Sequence, residues 1–578
     1  MADKVPSQKE LEEELNDYLA KKYGHRVRII SAPFPHLKSK EREEKPGKRV
    51  LHKIEFDLKP KELIAYLDQY VIRQDRAKDI LATKICTHFN RIKYWLSQKR
   101  EGWKHTSYIK NNILMMGPTG VGKTYLVKLI AQRLGVPFVK GDATKFSETG
   151  YVGGDVEDLV RELVHQADGN IEIAQFGIIY IDEIDKVASS GSVVGPDVSR
   201  TGVQRGLLKP MEETEVDLKT PYDPISQLEA IEKYRRTGRR EQKTINTRHI
   251  LFIMSGAFDG LKDIVQRRLT QQGIGFGARM DSKKEQDYLK YIKVEDLIKY
   301  GFESEFIGRL PVIAVFDNLE VKDLYEILKN PNSSIVNAKK QDFCAYGIDI
   351  VFEDEALWLI AKKAAAEGTG ARGLVSVVEK SILPFEKMFP STDVKQFLVT
   401  KEVVSDPASE LRKLLQCYKE DSYKKCYLEA IAAEQQYLRE AIDNKSKHLA
   451  KQYGLNLTQG RISLIVDAYH KFDFDIDLAF KQLARYIEEI KVFERNFFEE
   501  TGLRCQFSDE AMDVLLTQAI KRDLDITSIC GKFAKDLELG LKLVKDRTGK
   551  NTFQITKEAL STPEDFVRKI IQVAYKGI

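Results

Sequence analysis

Gly117-Pro-Thr-Gly-Val-Gly-Lys-Thr124 is the most informative stretch of the chain. It follows the apolar run Asn112–Met116 and precedes a helical spacing of Leu126, Leu129, Ile130 and Leu134. The string is a complete G-x-x-x-x-G-K-[ST] in the strand–turn–helix context that a phosphate-binding loop requires. Gly117, Gly120 and Gly122, with Pro118, Thr119 and Val121 between them, let backbone N–H groups wrap phosphates. The helix N-terminus adds its dipole. Lys123 is expected to reach the β- and γ-phosphates and the Thr124 hydroxyl to ligate Mg²⁺, so ATP and Mg²⁺ are the expected cofactors.

Working outward, four more short apolar runs follow: Val136–Val139, Gly177–Ile181, Ile250–Met254 and Val312–Phe316. Pro137 is tolerable only because it sits at the start of its run. Strands alternating with helices predict an α/β fold with a mostly parallel, doubly wound sheet. The run Ile178-Ile-Tyr-Ile-Asp-Glu183 ends in two carboxylates. At a strand tip beside a phosphate loop, Asp182 is expected to hold Mg²⁺ and Glu183 to polarise the attacking water.

The remaining composition sets limits. A chain of 578 residues has room for three to five domains at roughly 100–200 residues each. Lys and Arg number 92 and Asp and Glu 87, so the net charge of +5 gives no basis for general nucleic-acid binding. No apolar run approaches the ~18–20 residues needed to span a bilayer. The N-terminus lacks an apolar signal core, and the six cysteines contain no C-x-x-C pair. A cytoplasmic protein with reduced thiols is expected.

The C-terminal half repeats itself. Phe343–Ala366 matches Phe498–Lys521 at seven of 24 positions with a shift of 155. Phe397–Pro407 matches Phe553–Pro563 at six of 11 with a shift of 156. Two blocks in the same order predict a duplicated module. Between Pro407 and Gly454 there is neither Pro nor Gly, and a bent helical hairpin is expected rather than one helix of about 69 Å.

From about Leu58 to Val404 the chain resembles the ClpX family of AAA+ protein-unfolding ATPases, with HslU as a close relative. The shared strings are GPTGVGKT, GYVG after KFSET, IIYIDEIDK, PDVS-x-x-GVQ, ILFI-x-x-GAF, EFIGRLPV and GTGARGL. The resemblance implies ATP-driven unfolding and translocation of protein substrates by a homo-hexamer. It places Val71 and Ile72 on the adenine side, Ser255 at sensor 1, Arg372 at sensor 2 and Arg309 as the arginine finger of a neighbour's site. Tyr151 and Val152, between Gly150 and Gly153, correspond to the pore loop that grips substrate. Pro196–Gly202 resembles the second pore loop. Ile274-Gly275-Phe276 corresponds to the tripeptide that docks on a ClpP-type peptidase.

The resemblance implies an AAA+ large domain over 51–320 and an α+β small domain over 321–404. Residues 1–50 form an N-terminal extension, 405–490 a helical segment, and 491–578 a degenerate second small-domain-like module. Three departures stand out. Val71-Ile72-Arg73-Gln74 carries Arg where the family has Gly. The family's zinc-binding N-domain is expected to be absent, and the segment around Tyr234–Arg240 is longer and more basic than the family's pore-entry loop. In the second module Gly368-Thr-Gly-Ala-Arg-Gly-Leu374 has become Asp523-Leu-Asp-Ile-Thr-Ser-Ile529, so no nucleotide sensing is expected there. That module is expected to serve as an adaptor site. The alternative activity is a remodelling chaperone without a peptidase partner.

Overall fold

The computed structural model describes residues 57–97, 110–146, 154–188, 200–218, 244–272, 288–522 and 524–576. The expected 1–50 extension lies outside the described residues. In the first part of the chain the strands are β1 (Ile113–Met116), β2 (Phe138–Asp142), β3 (Ile178–Asp182), β4 (Glu215–Asp217), β5 (Thr244–Asn246), β6 (Leu251–Gly256) and β7 (Val312–Val315). Five of them form one parallel sheet in the order β2-β3-β6-β1-β7. β4 and β5 form a separate antiparallel pair. β1 and β6 are buried along their whole length, as parallel strands covered on both faces must be. The edge strand β7 instead alternates buried and half-buried residues.

β1 lies between β6 and β7, two strands that follow it much later in the chain. A crevice outside the carboxyl ends of the strands at such a crossover is where open α/β sheets take ligands. The helix Lys123–Leu134 starts there. Left-handed Gly122 precedes it and left-handed Gly135 ends it, while Leu126, Val127, Ile130 and Leu134 bury its inner face.

Beyond β7 the expected small domain has its own core. Helices Val321–Lys329, Ser334–Ala345, Asp354–Glu367 and Ala371–Met388 surround the parallel pair β8 (Asp349–Phe352) and β9 (Gln396–Val399). Phe343, Phe385, Phe389 and Phe397 meet at its centre with ring centroids 4.8–5.6 Å apart. Leu411, Leu414 and Leu415 of helix Pro407–Cys417 pack on that same core, so the packing continues past the expected end at Val404.

The Pro- and Gly-free stretch breaks once, at Tyr418–Glu420, and resumes as the 33-residue helix Asp421–Tyr453. That helix lies along the β8–β9 pair. Tyr427 is fully buried against Val351 and Leu398, and the Tyr423 hydroxyl accepts a hydrogen bond from the Leu398 N–H at 2.9 Å.

The duplicated module is a second copy of the same frame. β10 (Arg504–Phe507) and β11 (Thr552–Ile555) pair in parallel, and they stand 155 and 156 residues after β8 and β9. Helix Asp509–Arg522 stands 155 residues after Asp354–Glu367 at both ends. Gly347 and Gly502 both take the left-handed conformation at the entry to the first strand of each pair. One element differs. The first copy has two helices separated by Asn330-Pro-Asn-Ser333, where Pro331 forbids continuation. The second has Arg485-Tyr-Ile-Glu488 there and builds one 26-residue helix, Ile476–Thr501. The expected boundary at 490/491 falls inside that helix. The reason is packing: Ile487, Ile490 and Phe497 of this helix join one core that runs from Leu438 to Leu560.

Candidate nucleotide site

The loop after β1 brings Gly117–Thr124 against the tips of β3 and β6. Lys123 Nζ donates to the carbonyls of Gly117 at 2.5 Å and Pro118 at 2.8 Å. Burial pushes its pKa down to about 8; Asp182 and Asp185 oppose that shift, and the positive charge of Arg372 adds to it. A half-buried ammonium held by loop carbonyls is a ready partner for phosphate oxygens.

Asp182 and Ser255 meet at the strand ends. Ser255 Oγ donates to Asp182 Oδ1 at 2.6 Å, and Lys140 Nζ on β2 lies 3.0 Å from Asp182 Oδ2. Burial alone would raise the Asp182 pKa, but the hydrogen bond from Ser255 and the bond and charge of Lys140 outweigh it and hold the carboxyl below its ordinary value. Tyr180 completes the cluster. Its hydroxyl lies 2.6 Å from Ser255 Oγ and 2.9 Å from Thr124 Oγ1. An ionised carboxylate only accepts, which orders the donors Thr124 → Tyr180 → Ser255 → Asp182. The Thr124 oxygen thus keeps its lone pairs for a cation.

Glu183 follows at the strand tip, exposed, with a left-handed backbone (φ 58°) that few non-glycine residues adopt. Its N–H donates to Asp182 Oδ1 at 3.1 Å. The strained turn points the next side chain, Ile184, into the core and leaves the Glu183 carboxylate outside it.

The GTGARGL segment reaches the loop directly. Ala371 N–H donates to the Gly120 carbonyl at 2.8 Å. Gly120 (φ +77°) and Gly370 (φ +61°) both take left-handed backbones there. A Cβ on Gly120 would stand 2.2 Å from the Thr369 carbonyl oxygen, and one on Gly370 2.8 Å from that of Gly120. Only glycine permits this approach. Arg372 is thereby carried close enough to act electrostatically on Lys123.

Val71 and Ile72 line a cleft of about 170 Å³ together with Val121 and Gly122 of the loop and Leu319 and Ile327 of the small-domain side. Arg73, at the family's glycine position, has φ +60° and pairs with Asp323 at 2.5 Å and Glu320 at 3.0 Å. Arg309 follows helix Ser304–Gly308, is half exposed, and forms its ion pair with Glu212 at 2.5 Å. Tyr151, Val152, Ile274, Gly275 and Phe276 lie outside the described residues, as do most of Pro196–Gly202 and all of Tyr234–Arg240.

Sequence reading missed Tyr180, Lys140, Leu319 and Ile327. Tyr180 had a signal: it shares the strand face of Asp182 two residues on. The oxygens fit Mg²⁺, which is bound by one or two protein oxygens together with substrate phosphates rather than by a protein cage. Among the described residues no cluster of three His, Cys, Asp or Glu side chains forms a metal cage. None of the helices there is long and apolar enough to cross a membrane.

Two comparisons bear on this site. Residues 109–313 match the family model for the AAA domain (Cdc48 subfamily). Similar proteins include the ATP-dependent Clp protease ATP-binding subunits ClpX of Borrelia duttonii (strain Ly) and Borrelia recurrentis (strain A1). Each is 41% identical over 355 residues, covering 60% of this chain and 78% of the relative.

Proposed function

Because the chain belongs to the ClpX family of AAA+ ATPases, we propose that it is an ATP-dependent protein unfoldase and translocase that works as a homo-hexamer and feeds a ClpP-type peptidase. The observation that carries the reading is the convergence of Lys123, Thr124, Asp182, Glu183 and Ser255 on one loop at the sheet crossover. The Gly117–Thr124 loop holds the phosphates through its N–H groups and Lys123. Thr124 and Asp182 hold Mg²⁺, which when bound neutralises phosphate charge. Glu183 accepts the proton of the attacking water. Ser255 keeps Asp182 oriented, and Arg372 brings the charge of the small-domain side to the phosphates. Arg309 reaches a neighbouring subunit's site in the ring, after release from Glu212. Tyr151 and Val152 grip the substrate chain in the pore, and Ile274-Gly275-Phe276 docks the peptidase.

The test separates binding from hydrolysis. Glu183→Gln retains ATP binding and loses turnover, whereas Lys123→Ala loses binding. Tyr151→Ala keeps ATP turnover and loses unfolding of a stable tagged protein. Phe276→Ala keeps unfolding and loses peptidase association. Turnover by Glu183→Gln at the wild-type rate removes that residue from its role. If the wild type unfolds substrates but no ClpP-type peptidase binds it, the activity is remodelling without degradation.

A further inference from the structure

We propose that Asp477, in the C-terminal repeat, is a positioning residue for the base side of the nucleotide site, acting through the hydroxyl of Tyr70. The inference rests on reading Val71 and Ile72 as the base-side residues.

The turn Tyr70-Val71-Ile72-Arg73 is held by both copies of the repeat at once. From the first copy, Glu320 and Asp323, at the start of helix Val321–Lys329, take the Arg73 guanidinium. Asn330 Nδ2 donates to the Gln69 carbonyl at 2.8 Å. From the second copy, Asp477, in the first turn of helix Ile476–Thr501, accepts the hydroxyls of Tyr70 and Tyr453. Those two helices begin 155 residues apart and are equivalent in the duplicated frame. The base turn thus sits between equivalent helix starts, each contributing carboxylates.

Tyr70 belongs to two clefts. It lines the 170 Å³ cleft with Val71, Ile72 and Gly122, and it lines a larger one of about 1110 Å³ with Asp477, Tyr453 and Phe474. The second copy is fastened to the first beside it. Asn337 Nδ2 donates to the Phe474 carbonyl at 2.7 Å, Gln341 Nε2 to that of Asp473 at 2.7 Å, and the Tyr469 hydroxyl to that of Pro331 at 2.7 Å. Asp477 is therefore held by the small-domain side while it grips a residue of the base turn. Asp477 accepts from Tyr70 and Tyr453 rather than from the Gly117–Thr124 loop, so its influence falls on base affinity rather than on the chemical step.

The experiment uses the full chain, with a fluorescent ADP analogue for affinity and steady-state ATP turnover for KM and kcat. Asp477→Ala raises the analogue Kd and the KM for ATP roughly tenfold, the scale of a lost hydrogen bond to a charged acceptor, with kcat within a factor of about two. Asp477→Asn, which keeps an acceptor, recovers most of the affinity. Tyr70→Phe reproduces the loss by deleting one oxygen, and the double variant is no weaker than either single one. If Asp477→Ala fails to assemble, Tyr70→Phe and its double with Asp477→Asn give the same reading. Wild-type affinity in Tyr70→Phe and Asp477→Ala, or losses that add in the double variant, overturns the proposal alone. A wild-type chain that binds no adenine nucleotide overturns it together with the site reading.

Discussion

The two copies of the small-domain frame have the same strands in the same register and differ where one of them meets the phosphate loop. In the first, Gly370 ends a glycine-rich loop that touches Gly120, and Arg372 follows. In the second, the position 155 residues on is Asp525, which caps helix Ile526–Thr548 by accepting from the Ser528 N–H at 2.9 Å. Each solution is good for its own purpose. A side-chain cap stabilises a helix start in isolation. A glycine start forgoes that cap and permits backbone to pack on backbone. The frame thus needs only its apolar positions and caps, whereas contact with the nucleotide machinery needs glycine at the two points of closest approach, Gly120 and Gly370.

The sharpest break between the copies is expected at the helix that one splits and the other fuses. Tyr486→Pro puts a proline where Pro331 stands in the first copy. It should cost the second module about 3 kcal/mol or more, because a ring enters a continuous, half-buried helix. Thermal melting with limited proteolysis around 485–488 reads this; an unchanged melt means the single helix is not needed for the fold.

Next in size, Gly370→Val should lower ATP turnover on the order of 10²-fold, because the side chain displaces the small-domain loop from Gly120 by an ångström or more. Turnover at the wild-type level would mean that the contact is incidental. Asp525→Ala, at the equivalent place, should leave turnover unchanged.

A smaller effect concerns pH. Burial holds Lys123 down to about 8, so it carries its proton below that pH and loses it above. Phosphates favour the ammonium. ADP affinity should therefore be flat below about pH 8 and fall as pH rises further, by up to about tenfold per unit, with a proton taken up on binding. Calorimetry in two buffers of different ionisation heat measures that proton. No uptake at pH 9 would contradict the depressed value. The smallest effect is the cap itself: Asp525→Ala should slightly lower the melting temperature of the second module, because the Ser528 N–H loses its side-chain acceptor.

Much of the architecture was legible in the sequence because it is recorded in spacing. The five strands of the main sheet start within two residues of their expected runs, and the shifts of 155 and 156 reappear as the spacing of β8 to β10 and β9 to β11. The break at Tyr418–Glu420 was legible only as a bend of unknown place, since neither Pro nor Gly marks it. The module boundary at 490 was misplaced for a related reason. Loss of Pro331's counterpart at Tyr486 fused two helices, and a fused helix leaves no punctuation to read.

The phosphate loop, the carboxylates after β3, the order of elements and the existence of two repeats are written in the chain, because each is a local pattern of residue types at fixed intervals. Folding in three dimensions was needed to show that Tyr180 links Thr124 to Ser255 and Asp182, that Gly120 and Gly370 meet, and that Asp477 grips Tyr70. Those partners are separated by 56 to 407 positions along the chain. No periodicity spans such distances. They meet because sheet crossover and module docking bring distant surfaces together, and buried hydroxyls and carboxylates must then find partners where they lie.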